Sequence, residues 1–269
     1  MKEPMTRKLP VLRVNKQEAN EFEDTVVKEH SVTIMMNDQE VVTLLCSPTN
    51  LEYLAVGFLL SEGLLESHDD IVRTSVTGDD RKSTVRVEVK EPSEVSKYTS
   101  SQRLIASSGG RGASFGNALL DDQPKIESRI EISASEVLTL VEDFHRRSPV
   151  FEATGGVHSA ALCRSNRILV FSDDIGRHNA VDKVFGECLL KDISTADRII
   201  VTSGRVSSEI LFKVARRRVP VIISVAAPTD VAVRLAEDLG ITLVGFVRGS
   251  RMNIYTHDWR VKTDGKQER

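Results

Sequence analysis

Cysteine is scarce in this chain: Cys46, Cys163 and Cys188 are the only three among 269 residues. An odd, scattered trio writes neither a disulfide framework nor a C-x-x-C metal knuckle, and each reads as a small buried hydrophobe. Long apolar runs are missing as well. Nothing approaches a membrane span, and the opening MKEPMTRKLPVLRV has no stretch suited to a signal peptide. No membrane association is expected, and a cytoplasmic location is. Charge of one sign is also lacking. A net charge of -3 gives no general attraction to phosphate backbones, so no nucleic acid partner is expected. Local basic clusters can still hold a single anion, because attraction at contact distance depends on neighbours.

What is present suits a packed protein. Apolar residues make up 40% and charged residues 28%, enough for a globular core in one large domain or two modest ones. From Val11 to Val89 the pattern is mostly strand-like, with a hairpin turn at Asn37-Asp38. A helix is predicted from Leu51, capped by Thr49 or Asn50 and ended by Gly63. Residues 91–103 are polar and read as a linker or loop. Residues 105–116 then pack four glycines into a short span without P-loop or G-x-G-x-x-G spacing, a backbone suited to close ligand approach or to flexibility.

From Ser133 onwards, strands alternate with helices of a length that predicts an α/β sheet covered by helices. Four loops there concentrate polar residues: 154–158, 173–179, 203–209 and 246–251. The last three follow strands directly, so in a largely parallel sheet they would share one end. That would gather Arg177, Arg205, Arg248 and Arg251, with a helix N-terminus after Gly204. Guanidinium forks and helix N-termini both favour phosphate oxygens. The alternative is a structural network in which Arg177 and Arg205 pair with Asp174 and Asp182. His178, beside Arg177 and Asp174, is an acid–base or ligand-contact candidate. His158 reads more plainly as a core histidine, and Lys183 either faces the pocket or is solvated.

Read as a set, GFLLSEGLL, FEATGGVHSAAL, SDDIGRHNAVDKVFGECL, TSGRVSSEILFKVA and the stretch from PVIISVAAPTD through GFVRGSRMNIYT closely resemble the FdhD/NarQ family, over roughly residues 10–260. The resemblance implies a formate dehydrogenase accessory sulfurtransferase, a cytoplasmic homodimer. It would pass sulfur from a cysteine desulfurase, through a cysteine persulfide, to the molybdenum bis-guanine-dinucleotide cofactor before that cofactor enters formate dehydrogenase. It further implies cofactor contacts at Phe246, Val247, Arg248, Gly249, Ser250 and Arg251, to which the loop reading adds Arg177, His178, Asn179, Gly204 and Arg205.

One departure bears on the chemistry. The family's persulfide cysteine stands in a Gly-rich loop, and here that loop reads Ser107-Ser108-Gly109-Gly110-Arg111-Gly112. Ser108 occupies the carrier position, and a hydroxyl cannot form a persulfide. The chain is then a non-transferring, cofactor-delivering paralogue, or another cysteine substitutes, or the thiol was replaced.

The implied architecture is α/β. A cytidine deaminase-like C-terminal domain, a mixed sheet covered by helices, would span 126–262. A smaller β-rich α+β domain would span 1–125 and end in the Gly-rich loop, with a disordered tail over 263–269. The deaminase metal set is missing: where H-x-E and P-C-x-x-C would stand, the chain reads His158-Ser159-Ala160 and Ser203 to Ser207, so no zinc is expected.

Overall fold

The computed structural model describes residues 4–16, 18–90, 104–105 and 125–263. Ser108 with its Gly-rich loop, the whole expected linker over 91–103 and residues 264–269 of the expected tail lie outside the described residues.

The chain opens with an antiparallel hairpin of β1 (Thr6–Asn15) and β2 (Glu18–Val27). A second hairpin joins β3 (His30–Met36) to β4 (Gln39–Cys46), and its turn holds Asn37 at φ 52, a left-handed geometry that asparagine tolerates. With β5 (Ile71–Gly78), β6 (Lys82–Val89) and β7 (Leu104–Ile105) these strands form a five-stranded sheet ordered β5-β6-β3-β4-β7. Helix α1 (Leu51–Glu62) lies between β4 and β5 in sequence, and Gly63 ends it at φ 74, as the sequence predicts.

Strand β8 (Ile132–Ser133) leads into α2 (Ala134–Arg146), which starts with a reciprocal cap between Ser133 and Glu136. After α3 (Pro149–Thr154) come β9 (His158–Arg164), β10 (Arg167–Asp174), α4 (Arg177–Leu190), β11 (Ile199–Thr202), α5 (Ser208–Arg216), β12 (Val221–Ser224), α6 (Asp230–Leu239), β13 (Thr242–Arg248) and β14 (Arg251–Ile254). A short β15 (Val261–Lys262) pairs with β8. The six-stranded sheet runs β10-β9-β11-β12-β13-β14. Strands β11, β12 and β13 are parallel, and β9 is antiparallel to both β10 and β11. The ends of β10 to β13 and the start of β9 therefore share one edge, which is where the sequence places its polar loops.

Strands β11 and β12, IIVT and VIIS, are buried along their whole length, as expected where helices cover both faces. One core sits between the sheet and α4, α5 and α6, and another lies on the opposite face under α2. The mixed α/β class holds.

The two large sheets meet through α1 and α4. A Cβ on Gly57 would stand 1.8 Å from the Asp182 carbonyl oxygen, and one on Gly186 would stand 1.9 Å from that of Tyr53. Only glycine permits the two backbones to touch here. No described helix is long and apolar enough to cross a membrane.

Candidate functional site

Helix α4 begins at Arg177, after the carboxylates that close β10, and its first turns carry polar residues that fold inward. Asp174 is fully buried and accepts from Ser47 N (3.0 Å), Gly176 N (2.9 Å) and Asn179 Nδ2 (2.9 Å). Lys183, also fully buried, lies 2.6 Å from its Oδ2. Within α4, Asp182 accepts from Ser61 Oγ at 2.6 Å and from Lys213 Nζ at 2.7 and 2.6 Å. Burial pushes the Asp182 carboxyl up, against the pull of Lys213 and Ser61.

These contacts correct several sequence readings. Asp174 and Asp182 pair with lysines, not with Arg177 and Arg205, because the second turn of α4 places Lys183 over the end of β10 and packing brings Lys213 to Asp182. Lys183 neither faces a pocket nor is solvated. Asn179 points into the protein, where it also donates to Leu45 O at 2.9 Å. Asn179 thereby fastens the two sheets together.

That leaves Arg177, His178 and Arg205 as polar groups near the edge. Half-buried Arg177 has a buried Nε without a partner, and burial together with Arg205 pulls its guanidinium below the usual range. Gly204 permits the approach: a Cβ there would lie 2.8 Å from Arg177 Cβ. The Gly204 N–H is taken by Thr202 Oγ1 at 3.2 Å, and the following helix starts four residues later, at Ser208, so its amide is not the helix-end donor expected. His178 Nε2 lies 3.0 Å from Glu209 Oε2 rather than beside Asp174, and neither ring nitrogen completes an aligned hydrogen bond. Burial holds the His178 ring below its ordinary pKa, which favours the neutral form at pH 7. Burial also resists ionisation of Glu209, but His178, Lys213 and Arg177 outweigh it and hold that carboxyl low.

Arg248 and Arg251 face each other across the β13–β14 turn, and both are exposed. Two strand spacings separate β11 from β13, so the two arginine groups start about 10 Å apart. They form a row along the edge rather than a single cluster. Arg248 Nε donates to Val225 O at 3.3 Å, and its guanidinium stands 5.8 Å from the centre of the Phe246 ring. Phe246 adopts φ 52 at an irregularity in the β13–β14 register, where Gly249 follows at φ 56. A bulky residue in left-handed geometry costs on the order of 1–3 kcal/mol, strain that concentrates at ligand-binding turns. Val247 is buried, so only its backbone is available to a ligand.

Next to this row lies a cavity of about 310 Å³ that the sequence did not disclose. Its lining includes Phe144, Phe151, His158, Ser148, Ser159 and Ser203. Ser148 and Ser159 donate to opposite oxygens of Asp173, at 2.8 and 2.6 Å. Ser203 Oγ accepts from Ser159 N at 2.9 Å and sits 3.3 Å from His158 Nδ1. His158 opens strand β9 and reaches the cavity, so it is not solely a core residue. Ser148 caps α3 with Pro149 at its first position, a readable start signal. The cavity itself could not be read, because its walls come from segments far apart in the chain.

All three cysteines are buried. Burial pushes the Cys163 and Cys188 thiols up to about 12, and Cys46, with Asp174 nearby, higher still.

The chain is similar to proteins of known kinship. The model of the FdhD/NarQ family matches residues 27–262. A Bacillus subtilis (strain 168) protein named sulfur carrier protein FdhD is 39% identical over 263 residues, covering 97% of this chain and 100% of the relative. A Staphylococcus aureus (strain MRSA252) protein of the same name is 39% identical, covering 94% of this chain and 95% of its own length. A solved structure from Desulfotalea psychrophila, described as a formate dehydrogenase accessory protein, superposes with a TM-score of 0.79 over 96% of this chain and 100% of that one. Their identity is 24%, a likeness of fold.

Proposed function

Since this chain belongs to the FdhD/NarQ family, we propose that it serves formate dehydrogenase maturation by binding the molybdenum bis-guanine-dinucleotide cofactor without carrying sulfur on a thiol of its own. The observation that carries the second half is the burial of every cysteine, combined with serine at position 108. A persulfide carrier needs an accessible thiolate, and a thiol that burial pushes up to about 12 supplies almost none at neutral pH. The first half is supported by the row of cations at the sheet edge. Arg248 and Arg251 on the strained turn, with Phe246, Gly249 and Ser250, would hold one phosphate group. Arg177 and Arg205 would hold another, with His178 and Gly204 shaping the approach between them.

The recipient would be formate dehydrogenase. Cytoplasmic, homodimeric operation and the link to a cysteine desulfurase are taken over from the family. Two measurements test the reading. In calorimetry, Arg248→Ala or Arg251→Ala should weaken GDP binding roughly tenfold, since a charge-assisted hydrogen bond contributes about 1.5–3 kcal/mol; unchanged affinity counts against the arginine site. In mass spectrometry after incubation with a cysteine desulfurase and cysteine, no sulfur should be gained. A gain on Cys46, Cys163 or Cys188 would restore the sulfurtransferase reading.

A further inference from the structure

The arginines at the start of α4 have a carboxylate beside them to which the phosphate reading gives no part. Arg177 and Arg205 stand close enough for Arg205 to pull the Arg177 guanidinium down, so the two face each other as like charges. Glu209, in the first turn of α5, is the acid that offsets them. The same carboxylate lies 3.0 Å from Nε2 of His178, which follows Arg177 and is more than nine-tenths buried. The other charges around that ring are paired or of the wrong sign. Lys213, also from α5, is held by Asp182 at 2.6 Å, and Asp174, at the end of β10, by Lys183. From α1, Glu62 faces Asp182. From β9, His158 is itself pushed towards the neutral form by burial and by Arg177. Among the described residues, Glu209 is the carboxylate that meets the His178 ring.

As these groups stand, burial, Lys213 and Arg177 oppose a proton on the ring, and Glu209 favours one. The contact with Glu209 is close but misaligned, and Nδ1 has no partner. A phosphate group between Arg177 and Arg205 reverses the balance, because it cancels the positive charge that repels the proton. We propose that Glu209 is a positioning residue of this anion site, holding the His178 ring where it takes up one proton as a phosphate group settles against Arg177 and Arg205. The proton comes from solvent, and the imidazolium it creates forms a charge-assisted pair with Glu209, stronger than the contact of a neutral ring. The inference rests on the phosphate reading above, and it adds the proton that accompanies the anion and the carboxylate that shares it. The ring's value is low before binding and higher after it. The complex therefore holds the extra proton between the two values, and affinity rises as pH falls through that window.

The test is calorimetry of the full chain with GDP, in buffers of different ionisation enthalpy, which counts the protons taken up. The terminal phosphate of GDP titrates near neutral pH, so the count is read as parent minus variant. At pH 7 the parent should take up about half a proton more than His178→Gln, and on the same difference its affinity should rise roughly tenfold from pH 8 to pH 6. Glu209→Gln, nearly isosteric at a partly exposed position, should lose the same fraction of a proton and the same trend with pH. Glu209→Asp should regain part of both. If GDP binds and Glu209→Gln takes up as many protons as the parent, or loses affinity equally at every pH, the proposal falls while the phosphate reading stands. No binding of GDP by the parent at pH 6, 7 or 8 overturns both.

Discussion

Lys183→Met removes one charge from a pair in which both partners are fully buried. Asp174 would keep its bonds to Ser47, Gly176 and Asn179, but its negative charge would have no counter-ion. Removing one partner of a buried pair costs about 3–5 kcal/mol. Methionine fills much of the vacated volume, so little of that cost comes from a cavity. For a chain of this size about 1 kcal/mol shifts the melting temperature by about 2–4 °C, which puts the expected drop at roughly 6–20 °C. Scanning calorimetry at pH 7 reads it directly. The double variant Asp174→Asn with Lys183→Met should recover part of the loss, because neither charge is then stranded. A single variant melting within about 2 °C of the parent would refute the reasoning, since it would mean that water reaches the pair.

Gly57→Ala should abolish soluble expression, because its Cβ would fall 1.8 Å from Asp182 O; a variant that melts like the parent would deny the backbone contact. The cysteines should resist a thiol-specific reagent at pH 8 and all react in denaturant, counted by absorbance. Their raised values also have a consequence at high pH. A thiol that is held protonated in the fold lends stability that is intact below its ordinary value near 9. That stability is lost as pH climbs towards about 12, so chemical denaturation midpoints should decline over that range. His178 has the opposite sign. Its lowered value makes the fold bind the proton poorly, so the stability it contributes is present above about pH 6.5 and is lost as pH falls. An NMR titration showing its ring protonating at an ordinary value would contradict that burial.

The sheet edge was legible because continuous β-branched runs such as IIVT and VIIS, each followed by a polar loop and a helical period, admit few other arrangements. The stop at Gly63 was legible from a local signal too. Asp182, Ser61 and Lys213 were not: 121 residues separate the first pair, and no spacing rule reports a contact made by packing. Sequence order suggested one arginine cluster where the structure has a row, because β12 lies between β11 and β13 and holds their loops apart. The left-handed Phe246 was equally hidden, since that conformation is the last to be expected of an aromatic residue.

The contact between α1 and α4 decides how the molecule can respond to a ligand. Helices that touch main chain to main chain, with ion pairs sealed beneath them, have no room to slide or roll. The two halves must travel as one rigid unit, and any adjustment on binding falls to the turns along the rim.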